Sequence, residues 1–138
     1  MQFDGRSSKI LVVDNDPTTL EMVQIRLEVA GYHCIPARSA SAALEILQAM
    51  RPQAIVLERN LPGLDGMDML EAMAALHPSR PIPVLLVGRN LAAEDVRRGV
   101  ALGVRDCLAR PFSGAAVLER IGRMLKKPAT PPKQAVLV

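Results

Sequence analysis

The sequence predicts a single α/β domain built on an open parallel β-sheet with helices on both faces. Three observations support this prediction: strand and helix signals alternate five times along 138 residues, the strand segments are short apolar runs, and helix caps or breakers stand at most boundaries. Continuous apolar runs are typical of parallel strands that are buried on both faces. A chain of this length is long enough to bury one core. Five strand–helix units in a row predict right-handed crossovers between parallel strands.

The first two units have clear boundary signals. A strand is predicted over Lys9–Val13, and Asp16 then provides the N-cap of the first helix, followed by a first-turn proline. Gly31 ends that helix, because glycine readily adopts the left-handed conformation found after a helix C-terminus. A second strand is predicted over Tyr32–Pro36. Ser39 caps the second helix, which ends before a downstream proline.

The remaining three units follow the same pattern of apolar runs and boundary residues. The predicted elements are a third strand over Gln53–Leu57, a third helix over Asp65–Leu76, a fourth strand over Pro83–Val87, a fourth helix over Leu91–Leu102, a fifth strand over Arg105–Ala109 and a fifth helix over Ser113–Leu125.

Composition and charge argue against several classes of protein. Hydrophobic residues make up 49% of the chain, but the aromatic residues are limited to Phe3, Tyr32 and Phe112, so we expect an aliphatic core. No apolar run approaches the roughly 20 residues of a membrane span, and the N-terminus is too polar for a signal peptide. Cys34 and Cys107 have no metal-binding or redox spacing, which favours a cytoplasmic location. A net charge of +3 is too small to indicate nucleic-acid binding.

The predicted domain organisation has three parts. Residues 1–8 form an N-terminal extension, residues 9–127 form the α/β domain, and residues 128–138 form a proline-rich tail or linker. Pro128–Lys133 is typical of an extended linker. The apolar segment Gln134–Val138 either begins a further domain beyond Val138 or is a natural end.

Four residues stand at or just after the predicted carboxyl ends of strands: Asp14, Glu58, Gly88 and Arg110. In an open parallel sheet these strand ends meet at one edge, and ligands bind there near the switch in strand order. We therefore expect the four residues to line one cleft, although they are far apart in the sequence.

Three motifs occur at matching points of this pattern: Leu11-Val-Val-Asp-Asn-Asp-Pro17, Leu61-Pro-Gly-Leu-Asp-Gly66 and Arg110-Pro111-Phe112. Together they resemble the receiver domains of bacterial two-component response regulators, over about residues 9–127. The resemblance implies a flavodoxin-like fold with strand order 2-1-3-4-5. It also implies a role in phosphorelay signalling, in which a histidine kinase phosphorylates an aspartate at the end of the third strand.

The resemblance implies that Glu58 occupies the phosphoacceptor position, where receivers have aspartate. The extra methylene displaces the carboxylate from the position for in-line attack, and phosphoryl transfer depends mostly on positioning and charge neutralisation. Two interpretations stay open. Glu58 is either a tolerated polar residue at a strand end or a fixed negative charge that partly imitates the phosphorylated state. The imitation is partial because a carboxylate has one charge and no tetrahedral oxygens.

The resemblance also assigns a degenerate acidic pocket to Asp14, Asn15 and Asp16. Receivers hold Mg²⁺ with two adjacent acidic residues and a backbone carbonyl, which in this chain is that of Asn60. Because Mg²⁺ prefers carboxylate oxygens and Asn15 is neutral, we expect weak Mg²⁺ binding at most, through Asp14, Asn15 and Asn60, and no other cofactor. Asp16 is either the N-cap of the first helix or a further carboxylate that faces the cleft.

The family's switch positions correspond to Gly88 and Cys107, where receivers have a hydroxyl and an aromatic residue. The small thiol of Cys107 is either core filler or a redox sensor. Arg110 stands at the family's lysine, which contacts the phosphoryl group, and its planar fork suits a carboxylate. Arg59 and Arg89 are further candidates to neutralise the carboxylate at the acceptor position, or else are solvated loop charges.

These replacements predict an atypical receiver module that signals without phosphorylation and is not an enzyme. We expect a charge-assisted contact between Glu58 and Arg110 that holds one conformation. One alternative is a receiver that is phosphorylated weakly, or at another carboxylate, and controls an output domain beyond Val138. A second alternative is an unrelated enzyme on the same fold, although the chain has no glycine-rich phosphate loop and no nucleophile elbow.

The expected partner is another protein, either a histidine kinase or an output or effector domain, with no direct contact to nucleic acid or membrane. Receivers commonly bind partners through the fourth helix, fifth strand and fifth helix. A homodimer through this face would pair a mixed-sign patch with a two-fold copy of itself, and the simpler alternative is a solvated surface. The charges of the patch are Glu94, Asp95, Arg97, Arg98, Glu119, Arg120 and Arg123.

Overall fold

The computed structural model describes residues 8–76 and 80–126, which form five strand–helix units. The strands are β1 (Lys9–Val13), β2 (His33–Ala37), β3 (Ala54–Glu58), β4 (Val84–Gly88) and β5 (Val104–Ala109). The helices are α1 (Pro17–Val29), α2 (Ala40–Ala49), α3 (Gly66–Leu76), α4 (Ala93–Ala101) and α5 (Gly114–Lys126). Within these residues the parallel strands pair into one sheet in the order β2-β1-β3-β4-β5, which confirms the predicted fold class.

The predicted boundary signals act as local hydrogen-bond partners. The side chain of Asp16 accepts the backbone N–H of Thr18 at 3.1 Å, which confirms it as the N-cap of α1. Ser39 caps α2 in the same way, because its hydroxyl accepts the N–H of Ala42 at 3.0 Å. Gly31 follows α1 with a φ of +99°, a conformation that favours glycine. The predicted N-terminal extension and tail lie outside the described residues, except for Ser8.

The core consists of two aliphatic layers, one on each face of the sheet. Leu11, Ile55 and Leu86 point to the face covered by α2, α3 and α4, whereas their neighbours Ile10 and Leu85 point to the face covered by α1 and α5. This alternation follows from the two-residue repeat of a strand. It fixes the register of the sheet, because a shift of one residue would exchange the two layers. No helix in residues 8–76 and 80–126 is long and apolar enough to cross a membrane.

The predicted cleft lies where the central strands end. Val13 of β1 is in register with Leu57 of β3, and Glu58 is in register with Val87 of β4. The strand order reverses at β1, which pairs with β2 on one side and with β3 on the other. Residues at the carboxyl ends of β1 and β3 therefore stand beside this switch in strand order, where open α/β sheets bind ligands.

Candidate functional site

The guanidinium of Arg110 lies between the carboxylates of Asp14 and Glu58. Its Nε donates a hydrogen bond to Glu58 Oε1 at 2.7 Å, its Nη2 donates to Asp14 Oδ2, and its Nη1 donates to Thr19 Oγ1 at 3.3 Å. Both carboxylate side chains are only 4% exposed, and the Arg110 side chain is 18% exposed. The predicted contact between Glu58 and Arg110 is therefore present, and the same cation also neutralises Asp14.

The other oxygen of each buried carboxylate accepts a backbone N–H. Glu58 Oε2 accepts the N–H of Asn60 at 2.8 Å, and Asp14 Oδ1 accepts the N–H of Asp16 at 2.9 Å. Burial of a carboxylate is costly unless its oxygens have hydrogen-bond donors. All four carboxylate oxygens of Asp14 and Glu58 therefore have a donor from the protein itself.

Two carboxylates and one guanidinium share the pocket, and their burial and mutual contacts shift the pKa values of Asp14 and Arg110. Burial raises the pKa of the Asp14 carboxyl, and this outweighs the N–H of Asp16 and the charge of Arg110, which lower it. The neighbouring charge of Glu58 adds to the rise. For Arg110, burial lowers the pKa, but the hydrogen bond to Glu58 and the charge of Asp14 more than compensate, so its pKa is raised. The ion cluster thus holds Arg110 firmly in its charged form.

Asp16 and Asn15 lie at the exposed rim of the cleft. Oδ2 of Asp16 accepts the hydroxyl of Thr19 at 2.8 Å, and this bond, with the N–H of Thr18, lowers the pKa of Asp16. Asp16 therefore serves as the N-cap and contacts Arg110 indirectly, through Thr19. The role of Thr19 is not predictable from the sequence, because its spacing of three residues from Asp16 indicates a capping contact but gives no sign of Arg110.

Arg59 does not neutralise Glu58, and its interpretation as a solvated loop charge is wrong. Its Nε and Nη2 bind both carboxylate oxygens of Asp95 at 2.9 and 3.2 Å, and its Nη1 binds Asp65 at 3.1 Å. The Arg59 side chain is only 23% exposed. The bond between Arg59 and Asp95 joins the segment after β3 to the first turn of α4. The hydrogen bond from Arg59 lowers the pKa of Asp95. Arg89, by contrast, is exposed.

The two switch-equivalent positions have different environments. Gly88 is buried at the end of β4, and a β-carbon there would lie 3.1 Å from Arg59 Cβ and 3.3 Å from Leu91 Cδ2. Cys107 on β5 is partly buried and packs against the core layer beneath α2, α3 and α4. Burial raises the pKa of its thiol, and a raised pKa reduces the reactive thiolate fraction. This environment supports core filler over a redox sensor.

The residues of the cleft do not fit a magnesium ion. A guanidinium already lies between the two buried carboxylates, and Mg²⁺ requires oxygen ligands that are free to point at the metal. Across residues 8–76 and 80–126, no group of three or more His, Cys, Asp or Glu side chains is arranged to hold a metal ion. The other predicted ligands, the side chain of Asn15 and the backbone carbonyl of Asn60, are neutral and add no charge that would attract a metal ion.

Part of the predicted partner surface is occupied by contacts within the chain. Arg120 binds Asp106 and the carbonyl of Cys107, both at 2.9 Å, and its side chain is 28% exposed. Arg98 binds Glu71 of α3 at 2.5 Å. With Asp95 held by Arg59, these three charges are less available than predicted. The charges of the patch whose side chains remain more than 60% exposed are Glu94, Arg97, Glu119 and Arg123.

Known proteins are similar in sequence to most of this chain. A family model described as "Response regulator receiver domain" matches residues 10–122. The chain is 33% identical over 124 residues to the probable transcriptional regulatory protein TcrX of Mycobacterium tuberculosis, covering 90% of this chain and 52% of TcrX. It is 31% identical over 121 residues to the transcriptional regulatory protein PrrA of the same organism, covering 88% of this chain and 51% of PrrA. The chain thus spans about half the length of these relatives.

Solved structures show the same fold. The chemotaxis protein CheY4 of Vibrio cholerae superposes with a TM-score of 0.78 at 26% identity, covering 85% of this chain and 98% of that one. A putative response regulator from Chloroflexus aurantiacus superposes with a TM-score of 0.78 at 27% identity, covering 88% of this chain and 100% of that one. The chain belongs to the response regulator receiver domain family.

Proposed function

We propose that this receiver domain acts in two-component signalling without phosphorylation, through protein–protein contacts made in one fixed conformation. The observation that carries the proposal is the state of Glu58 at the acceptor position. One of its oxygens is bound by Arg110 at 2.7 Å and the other by the N–H of Asn60 at 2.8 Å. A nucleophile needs a lone pair directed in line at the phosphorus atom, so attack by Glu58 would require these bonds to rearrange.

Charge neutralisation also supports the proposal. The incoming phosphoryl group carries negative charge, and its transfer depends on cations that neutralise that charge. In this cleft the guanidinium of Arg110 is already shared between the buried carboxylates of Asp14 and Glu58. An additional anion would enter a pocket that has an excess of negative charge. Phosphoryl transfer to Glu58 is therefore opposed by electrostatics as well as by geometry.

Two arginines support a fixed conformation. Arg110 joins the carboxyl ends of β1, β3 and β5 through Asp14 and Glu58. Arg59 joins the segment after β3 to α4 through Asp65 and Asp95. Bidentate and charge-assisted contacts of this kind are stronger and more directional than ordinary hydrogen bonds. The elements around the cleft are thereby tied together without a phosphoryl group.

The proposed partner surface is the face formed by α4, β5 and α5. Its exposed charges Glu94, Arg97, Glu119 and Arg123 are of both signs, so two copies related by a two-fold axis can pair opposite charges. A homodimer, a histidine kinase and an output or effector domain are the proposed partners. The relatives of about twice this length are by name transcriptional regulators, which supports an output domain as one of them.

Sedimentation of the wild type and of Arg97→Glu tests the homodimer. We expect the charge reversal to weaken self-association, whereas Arg51→Glu, which lies outside this face, leaves it unchanged. If Arg97→Glu sediments like the wild type at every protein concentration, the proposed face is wrong.

Phosphorylation itself is tested by intact-mass spectrometry after incubation with acetyl phosphate and Mg²⁺. We expect no stable adduct, while a receiver with an aspartate acceptor serves as the positive control. A stoichiometric, Mg²⁺-dependent adduct on the wild type that disappears in Glu58→Gln would overturn the proposal. An adduct that persists in Glu58→Gln would favour the alternative function, phosphorylation at another carboxylate. The exposed Asp16 at the rim is the candidate for that acceptor.

A further inference from the structure

We infer that Arg110 is the resident cation of this receiver: its guanidinium takes the place of a divalent metal ion, and its removal opens a divalent-cation site between Asp14 and Glu58. The inference rests on the proposed function, because a domain that is not phosphorylated has no need of an exchangeable metal. It goes beyond that function, because it proposes that Arg110 keeps divalent metal ions out of the cleft.

The charges of the cleft support the inference. Asp14 and Glu58 place two carboxylates beside each other with only 4% of each side chain exposed. Two buried like charges repel each other strongly unless a cation lies between them. Arg110 supplies one positive charge against two negative ones, so the cluster remains anionic. A divalent cation would neutralise the two carboxylates completely.

The positions of the donors show where such an ion would lie. Nε and Nη2 lie on the same edge of the guanidinium, and they bind Oε1 of Glu58 and Oδ2 of Asp14. These two oxygens therefore face a common space that the guanidinium edge fills. Without Arg110, both oxygens lose their donor while the backbone N–H groups of Asn60 and Asp16 still hold the other two. Two converging carboxylate oxygens with water as the remaining ligands are the kind of site that hard divalent cations use.

Two further contacts keep Arg110 in this position. Its Nη1 donates to the hydroxyl of Thr19 at 3.3 Å, and its guanidinium carbon lies 5.0 Å from the centre of the Phe112 ring. The ring face attracts a cation, and the aromatic contact lowers the exposure of the guanidinium. A metal ion that entered the wild-type cleft would have to displace all of these contacts at once. The wild-type protein is therefore expected to exclude the metal.

Titration with Mn²⁺ tests the inference, read out by paramagnetic broadening of NMR signals near the cleft and by calorimetry. The proteins are the wild type, Arg110→Ala and the double variant Arg110→Ala/Glu58→Gln. Arg89→Ala is the control, because it removes an exposed positive charge from the loop after β4. We expect Arg110→Ala to bind Mn²⁺ at least about tenfold more tightly than the wild type, because the guanidinium no longer occupies the two carboxylate oxygens. Arg89→Ala should bind like the wild type, and Glu58→Gln should abolish the gain.

Loss of folding in Arg110→Ala does not prevent the test. Binding to the folded state alone raises the unfolding temperature, so Mg²⁺ or Mn²⁺ should restore the folding of Arg110→Ala and leave the wild type unchanged. Arg110→Lys keeps a positive charge but loses the planar fork that binds the two carboxylates along one edge, so it should show an intermediate gain in Mn²⁺ affinity. The inference is overturned if the wild type binds Mn²⁺ as tightly as the variants, or if folded Arg110→Ala and Arg110→Lys show no gain. These outcomes concern metal affinity alone, and the mass-spectrometric test of phosphorylation is read independently.

Discussion

A β-carbon on Gly88 would lie 3.1 Å from Oε2 of Glu58. The side chain of Glu58 therefore occupies part of the space that a side chain at position 88 would need, between the ends of β3 and β4. A contact of this length is tighter than most β-carbon contacts in proteins, and Oε2 is itself held by the N–H of Asn60. The two residues that the resemblance assigns to the acceptor and hydroxyl positions, Glu58 and Gly88, are thus sterically linked.

This link predicts a coupling between positions 58 and 88. Gly88→Ala should destabilise the protein by about 1–2 kcal/mol, because the added methyl group crowds Glu58 and Arg59. In a Glu58→Asp background the same change should cost about 1 kcal/mol less. Urea unfolding of the two single variants and the double variant measures the difference. Equal costs of Gly88→Ala in both backgrounds would show that the two side chains do not compete for space.

Glu58 and Arg110 should be energetically coupled. Arg110→Met is expected to reduce the free energy of unfolding by about 3 kcal/mol, because it leaves two buried carboxylates without a cation. Glu58→Gln should cost less, and the double variant should reveal a coupling energy of about 1 kcal/mol or more. Thermal or urea unfolding of the complete cycle is the measurement. A coupling energy of zero would mean that the pair does not form in solution.

Gly66 should tolerate no side chain. A β-carbon at this first residue of α3 would lie 2.6 Å from the carbonyl oxygen of Glu58 and 2.9 Å from Cα of Arg59, and backbone atoms cannot move aside cheaply. Gly66→Ala should therefore cost about 2 kcal/mol or more. Gly122→Ala in α5 is the matched control. Its β-carbon would have Tyr32 Oη at 3.9 Å as its nearest atom, and alanine favours a helix by up to about 1 kcal/mol. A comparable loss in both variants would contradict the packing of α3 on β3.

The bond between Arg59 and Asp95 should be visible in the pH dependence of stability. The hydrogen bond from Arg59 lowers the pKa of Asp95 below its ordinary value of 3.8, against the opposing effect of burial. A carboxyl with a lowered pKa stabilises the fold fully above 3.8 and loses that contribution as the pH falls through the lowered value. Asp95→Asn should therefore lose less stability than the wild type below pH 3.8. Asp16 also has a lowered pKa, but Thr19 and Thr18 cause it and Arg59 does not, so it cancels in the comparison. Asp65 shares Arg59 with Asp95, so its own pKa is followed by carbon-13 NMR in Asp95→Asn.

Unfolding midpoints measured from neutral pH downward provide the test, with Glu94→Gln in the same turn of α4 as the control. Carbon-13 NMR of the carboxyl groups gives a direct reading, since Arg59→Met should move the pKa of Asp95 back toward 3.8. Parallel acid unfolding of Asp95→Asn and the wild type would mean that the Arg59 bond does not stabilise the fold.

The fold and the outline of the cleft were predictable because the signals involved are local. Proline, glycine and capping residues placed the element boundaries within one or two residues, as in α1, where Asp16 caps the helix as predicted. The convergence of Asp14, Glu58 and Arg110 also required no side-chain detail. It follows from parallel strands alone, since all their carboxyl ends lie at one edge of the sheet.

The partners of individual side chains were less predictable, because they depend on loop paths and on the rotation of helices about their axes. Arg59 follows Glu58 directly in the sequence, yet its side chain turns away to Asp65 and Asp95, which a strand-end argument does not locate. The sequence predicts Asp95 and Arg120 on an exposed partner surface, with a solvated surface as the alternative. Both are drawn toward the domain, Asp95 by Arg59 and Arg120 by Asp106.

The placement of Arg110 has a consequence for how the cleft depends on its surroundings. A guanidinium attached to the polypeptide at the end of β5 stays beside Asp14 and Glu58 at an effective concentration set by the chain, not by the solution. Chelators cannot extract it, and dilution cannot deplete it. The positive charge of this cleft is thus part of the polypeptide, so its presence does not depend on the supply of metal ions.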